Sequence, residues 1–291
     1  MRSYIDSFMR LCEYPDDARK CLLDAYDKIT SIGDGLCNLV AEYEADYKID
    51  YEAALSKMKE ISLESGVHEY TGALLLFICY TRGLRAHYER EGISLDLFLP
   101  TVLDLRYKLD ECQCVYGIVG SFVAKLFAGF FNLTRFALGR LQFEIVEFGG
   151  EYDNGEIKLT PESRVINVHI PRTLTPLDRK STLESYRLAA EFFAPKLNGS
   201  IVFTCNSWLL FPRHKEMLKD GSNILEFMND YDPVASGEYS NYNEIWRLFD
   251  KIYDGDPSHL PADSSLRRAY VEIISRGERT GWGKGVFAFK Y

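Results

Sequence analysis

The chain of 291 residues lacks a membrane-spanning run, an excess of basic charge and a metal-ligand motif. Each absence excludes a class. A transmembrane helix needs about 20 consecutive apolar residues. Ala73 to Tyr80 is far shorter, and Val115 to Leu138 is interrupted by Lys125, Arg135 and several glycines. Both read as buried core segments, so no membrane is expected as a partner. Lysine and arginine number 34 against 43 acidic residues, a net charge of −9. That balance argues against general nucleic-acid binding while leaving room for an anion in a local pocket. The seven cysteines are odd in number and irregularly spaced. Cys112-Gln-Cys114 has no second Cys or His pair, so no metal site is expected. The opening MRSYIDSFMR contains no apolar signal region, and reduced thiols in a cytoplasmic protein are the simplest expectation. There is no Gly-x-Ser-x-Gly elbow. The late glycines from Gly277 to Gly285 do not have P-loop spacing. They read instead as a turn or a close backbone approach leading into an edge strand, where Trp282 is a candidate pocket residue.

What is present divides near Leu138. The expected domains are a helical one over residues 1–137 and an α/β (α+β) one over residues 138–291. In the first half Asp50 caps a segment in which Leu55, Met58 and Ile61 recur at helical spacing, with Gly66 as its stop. Glu69 to Arg90 carries the block LLLFICY, apolar all round, as in a buried helix. Leu95 to Cys112 reads as one further helix.

The second half changes period. Leu141, Phe143 and Ile145 alternate with Gln142, Glu144 and Glu147, the pattern of a half-buried strand. VINVHI (Val165 to Ile170) and IVFTCNSWLL (Ile201 to Leu210) read as strands, with a helix from Asp178 to Leu197 between them. Ser222 caps a short helix, Pro233 to Asn243 reads as loop or hairpin, and Ser264 to Arg276 is a helix ended by Gly277. Gly285 to Lys290 closes the sheet. Strands separated by helices indicate an α/β domain.

Several strings, in order, carry a family likeness: LGRLQFE (Leu138–Glu144), VHIP (Val168–Pro171), CNSWLLFP (Cys205–Pro212), SNILEF (Ser222–Phe227), SLRRA (Ser265–Ala269) and GWGKGVF (Gly281–Phe287). Together they resemble the GNAT-like C-terminal domain, and the helical half resembles the N-acyltransferase N-terminal domain that accompanies it. The resemblance implies a mixed-sheet fold and acyl-CoA or acetyl-CoA as co-substrate. It further implies that backbone N–H groups bind the diphosphate where a central strand turns into a helix, since a helix N-terminus offers unpaired donors and a positive dipole end. Here that place is PRTLTPLD, with Arg172, Thr173, Arg179 and Lys180 as candidate cofactor-binding residues. The superfamily's Arg/Gln-x-x-Gly-x-Gly/Ala pattern is absent from it. The loop has two prolines and no glycine, and proline removes an N–H.

Candidate catalytic residues follow the strands. His169 is a possible base for an attacking amine, the other reading being a core histidine paired to backbone, and Glu144 is the other possible base. Cys205 would be a nucleophile only if a base, with His169 the nearest candidate, took its proton; a buried core thiol is the other reading. By the resemblance, Tyr231 would protonate a leaving thiolate; otherwise it is an aromatic packing residue. Ser207 and Trp208 are candidate pocket residues. The expected reaction is direct acyl transfer to a small amine or hydroxyl acceptor. The alternative is a non-catalytic binding protein that keeps the fold without the diphosphate loop. The oligomeric state is not legible.

Overall fold

The computed structural model describes residues 1–173, 175–197 and 199–290. The chain divides into two compact units, Met1–Ala137 and Leu138–Tyr291.

The first unit is helical: α1 (Arg2–Leu11), α2 (Asp16–Ser31), α3 (Gly35–Ala45), α4 (Tyr51–Glu64), α5 (Glu69–Arg90), α6 (Phe98–Val102), α7 (Asp104–Tyr116) and α8 (Ala128–Phe131). Asp50 begins α4 by accepting from the N–H groups of Glu52 and Ala53, both at 3.0 Å. Helix α5 is the hub. Leu74 through Tyr80 are fully buried, because α2, α3 and α4 pack around it. Leu95 to Cys112 is not one helix. A 3-10 turn (Leu95–Leu97) precedes α6, and α7 starts anew at Asp104. Pro100 explains the break: it fits the first turn of a helix starting at Phe98 but not the interior of one starting at Leu95.

The second unit holds strands β1 (Arg135–Leu138), β2 (Leu141–Glu147), β3 (Tyr152–Asp153), β4 (Lys158–Leu159), β5 (Arg164–His169), β6 (Val202–Ser207), β7 (Asp232–Glu238) and β8 (Gly281–Ala288). Six form a mixed sheet in the order β1-β2-β5-β6-β8-β7, and β3 pairs with β4. β5 and β6 are parallel, whereas β2–β5, β6–β8 and β7–β8 are antiparallel. The crossover from β5 to β6 is α9 (Arg179–Phe193), which lays Tyr186 against Phe143, Phe203 and Phe287 at ring distances of 6.4, 5.3 and 4.8 Å. On the opposite face the β3–β4 hairpin covers Val165, Val202 and Val286 with Ile157 and Leu159.

Two expectations are corrected. Residues Asp232–Glu238 are a strand, not a loop; it is an edge strand, where Pro233 is tolerated at a register shift. Of the two readings of the glycines before Gly285, close backbone approach holds at Gly281 and Gly283, but the strand they enter is not an edge. Gly281 and Gly283 lie inside β8, between β6 and β7. A Cβ at Gly283 would stand 2.1 Å from the Leu210 carbonyl oxygen, and one at Gly285 2.7 Å from Tyr231 Cβ. Glycine is there because other backbone passes directly over the strand.

The remaining elements of this unit are α10 (His214–Met217), α11 (Asn223–Met228), α12 (Trp246–Phe249) and α13 (Ser265–Ser275). A second core gathers Ile245, Phe249, Tyr270, Ile273 and Ile274.

Candidate active site

The parallel ladder between β5 and β6 is short. It joins Ile166 to Phe203 and Asn167 to Thr204. Beyond it, Val168 and His169 on β5 and Cys205 to Ser207 on β6 continue with no ladder between them, while β6 remains paired to β8 as far as Ser207. The ladder thus ends before the strands do, and a gap between their C-terminal ends would offer backbone groups to an extended polar ligand.

Register assigns the side chains to faces. Gln142 is opposite His169 and Glu144 opposite Asn167. Alternation therefore puts all four on one face, the face that also carries Thr204. His169 Nε2 lies 2.6 Å from Glu144 Oε1 and 3.0 Å from Asn167 Nδ2, and Asn167 Nδ2 is 3.5 Å from the same carboxylate oxygen. With Glu144 ionised, Nε2–H donates to the carboxylate and leaves Nδ1 as the acceptor nitrogen. The histidine side chain is 30% exposed and the glutamate 14%, so the pair is reachable but partly shielded from water.

Cys205 is on the other face, with Phe203, so it does not meet His169. It is fully buried, and burial pushes its thiol up to about 12 despite a hydrogen bond from Tyr231. Tyr231 is itself buried, with its hydroxyl 2.9 Å from that of Tyr186, and burial holds it well above the ordinary phenol range. It is a neutral hydroxyl able to donate, set on the face opposite the histidine.

The connection from β5 to α9 contains the candidate cofactor residues, and their charges are largely matched. Arg172 pairs with Asp250, which also accepts from Arg267 at 2.8 Å. Arg179 pairs with Asp230, whose carboxyl is pushed up by burial against the pull of the arginine. Thr173 bonds within the loop, its hydroxyl 3.0 Å from that of Thr175. Lys180 is exposed. Asp178 caps α9 by accepting from the Ser181 N–H at 3.0 Å, a contact that lowers its own pKa, so a carboxylate already stands at this helix N-terminus. Leu174 lies outside the described residues.

Ser207 accepts from the Leu209 N–H at 3.2 Å and starts the 3-10 turn Trp208–Leu210. Trp208 lines a pocket with Tyr239, Ile245, Leu248, Tyr270 and Thr280. Trp282 is instead beside Gly237 on the neighbouring strand. Among the described residues no group of three or more His, Cys, Asp or Glu side chains could hold a metal. No described helix is long and apolar enough to cross a membrane.

Two residues of this region escaped the sequence reading. Asn167 was findable, since strand alternation pairs it with His169. Arg140 was not: it sits in the β1–β2 turn, and nothing in LGRL announces that its guanidinium reaches residues 171 and 175.

A mixed sheet with a short parallel ladder between β5 and β6 and a polar dyad beside its C-terminal end is the arrangement of a GNAT-like domain. The family comparison agrees: the GNAT-like C-terminal domain matches residues 135–287 and the N-acyltransferase N-terminal domain matches residues 3–125. The chain belongs to this family. Among solved structures it is similar to an acyltransferase in complex with decanoyl-CoA and teicoplanin. That likeness has 20% identity and a TM-score of 0.78, and covers 98% of this chain and 87% of the other. It is also similar to an acyltransferase in complex with decanoyl-CoA, at 19% identity and a TM-score of 0.71, and to one in complex with CoA and 10C-teicoplanin, at 18% and 0.72. Both cover the same shares of the two chains. A comparison with curated proteins finds no match.

Proposed function

We propose that the protein is an acyl-CoA-dependent acyltransferase that moves an acyl group directly to an amine or hydroxyl of a small-molecule acceptor. The observation that carries this reading is the His169–Glu144 pair, at 2.6 Å, with His169 at the C-terminal end of β5 just past the β5–β6 ladder and Glu144 on the neighbouring β2. Support comes from the similar acyltransferases, which were solved with decanoyl-CoA or CoA, two of them with a teicoplanin acceptor.

In this mechanism the thioester lies in the gap, where unpaired strand N–H groups polarise its carbonyl. Nδ1 of His169 accepts the proton of the attacking amine or hydroxyl, and Glu144 stabilises the imidazolium that results. The acceptor atom bonds to the carbonyl carbon and the carbon–sulfur bond breaks. The departing thiolate takes a proton from the imidazolium, and Tyr231, buried on the other face with its pKa held up, keeps its own. Cys205 has no part, because its thiol is buried, protonated and away from the base.

The residues present fit the CoA phosphates in a modified way. A glycine-rich cradle is missing, and Asp178 occupies the α9 cap. Arg172 can exchange its partly exposed partner Asp250, which keeps Arg267, for a phosphate, whereas Arg179 is held by the largely buried Asp230. A second reading, a non-catalytic binding protein, is favoured by that Asp178 cap alone. The test is decanoyl-CoA with a panel of amines and alcohols, with CoA release followed by thiol titration and products by mass spectrometry. Acceptor-dependent CoA release with no acyl-enzyme adduct is expected. Calorimetry showing no CoA binding at millimolar concentration would rule the reading out.

A further inference from the structure

Arg140 stands in the tight turn between β1 and β2, and its backbone is fixed on α9. Its N–H donates to the Oγ of the fully buried Ser185 at 2.7 Å. The preceding Gly139 has φ +71°, and a Cβ there would come within 2.6 Å of the same Oγ. The turn thus lies flat against the helix. From this anchored base the guanidinium reaches the β5–α9 loop. Nε donates to the Thr175 carbonyl and an Nη to the Pro171 carbonyl, both at 3.0 Å. One planar fork closes a loop across four residues.

The consequence lies in the peptide planes. In a trans peptide the C=O and the N–H point in opposite directions. Clamping the Pro171 carbonyl toward Arg140 aims the Arg172 N–H the other way. The Thr175 carbonyl belongs to a peptide with Pro176, which has no N–H to aim. Thr175 N–H is itself directed to the Thr173 hydroxyl at 3.3 Å. A loop without glycine cannot turn its donors toward a ligand by adopting unusual dihedrals; here an arginine on another element orients them.

We propose that Arg140 is the positioning residue of the β5–α9 loop, replacing the missing glycine pattern by holding two of its carbonyls so that the Arg172 N–H and side chain face the CoA phosphates. This rests on the acyl-CoA reading above. Lysine would not substitute, because a single ammonium on a flexible stem does not span two carbonyls in one plane.

The test compares wild type, Arg140→Ala and Arg140→Lys in the full chain, with CoA as the calorimetric probe and hydrogen exchange read over residues 172–178. Both variants are expected to bind CoA about tenfold or more weakly, a loss of about 1.4 kcal/mol or greater. Amides of the loop should exchange faster in the absence of CoA. With an acceptor in hand, KM for acyl-CoA should rise while KM for the acceptor stays. If Arg140→Ala does not fold, Arg140→Lys, which keeps charge and stem, carries the comparison. Wild-type affinity and unchanged loop exchange in Arg140→Lys would overturn the proposal and leave the acyl-CoA reading standing. Faster loop exchange with unchanged CoA affinity would also overturn it, reducing Arg140 to a structural tie. No CoA binding by the wild type would overturn the acyl-CoA reading and the role of Arg140 with it.

Discussion

Two side chains, His169 and Glu144, carry the proposed chemistry, and the environment of Cys205 keeps it out. His169 is partly exposed and bonded to a carboxylate, whereas Cys205 is sealed and protonated. Replacing His169 with alanine is expected to slow acyl transfer by roughly 10²–10⁴-fold, the usual worth of a positioned base. Glu144→Gln should lose a smaller part, about tenfold or more, because the imidazole loses its orienting carboxylate. Steady-state CoA release measures both; a histidine variant with wild-type turnover would remove His169 from the mechanism. Cys205→Ala should keep activity within about threefold, under 1 kcal/mol of barrier. The native thiol should also resist iodoacetamide until the chain is unfolded, as followed by mass spectrometry. The dyad itself was half legible: Glu144 and His169 each stood out as a titratable residue on a strand, but only the β2–β5 register puts them diagonally on one face, within reach of each other.

At the level of elements, long periodic segments read well and glycine-rich ones only in part. Helix α5 matches its predicted span from Glu69 to Arg90, since a fully apolar block bounded by Gly92 admits few other structures. For strand β8 the sequence left turn chemistry and close backbone approach both open, and its position inside the sheet rather than at an edge was not legible. Gly283→Ala tests the close approach directly. The added methyl meets the Leu210 carbonyl, so a loss of ~1–3 kcal/mol by chemical denaturation is expected. A neutral effect would mean that the 3-10 turn Trp208–Leu210 moves aside freely.

The segment after that turn holds a second testable element. His214 Nδ1–H donates to the Leu209 carbonyl at 3.1 Å, and Nε2 accepts from the Tyr270 hydroxyl at 2.8 Å. Burial lowers its pKa. Below the ordinary imidazole value of about 6.5 the unfolded chain takes up a proton that the folded chain refuses. The contribution of His214 is therefore complete above that pH and declines as pH falls toward its folded value. Denaturant midpoints between neutral and mildly acidic pH should fall more steeply for wild type than for His214→Asn. Parallel curves would contradict the assignment.

For the whole molecule, sequence identity near 20% coexists with a fold that matches over 98% of the chain. Apolar strings and their order preserve such an architecture, while the loop that meets the ligand is free to change. That is why the mixed-sheet fold was legible from LGRLQFE, VHIP and CNSWLLFP, whereas the phosphate contacts were not. Positive side chains near PRTLTPLD suggested a cationic site, but Asp230 and Asp250 come from segments far along the chain and take up two of those charges. The net charge of −9 gives a polyanionic substrate no overall attraction, so binding must come from local groups. A crystal structure of the protein with decanoyl-CoA tests the central claim most directly. The account predicts the thioester between Val168–His169 and Cys205–Ser207, its carbonyl carbon on the side of His169, and the phosphates at the β5–α9 loop. Decanoyl-CoA bound elsewhere, with the gap between β5 and β6 left to solvent, would contradict it.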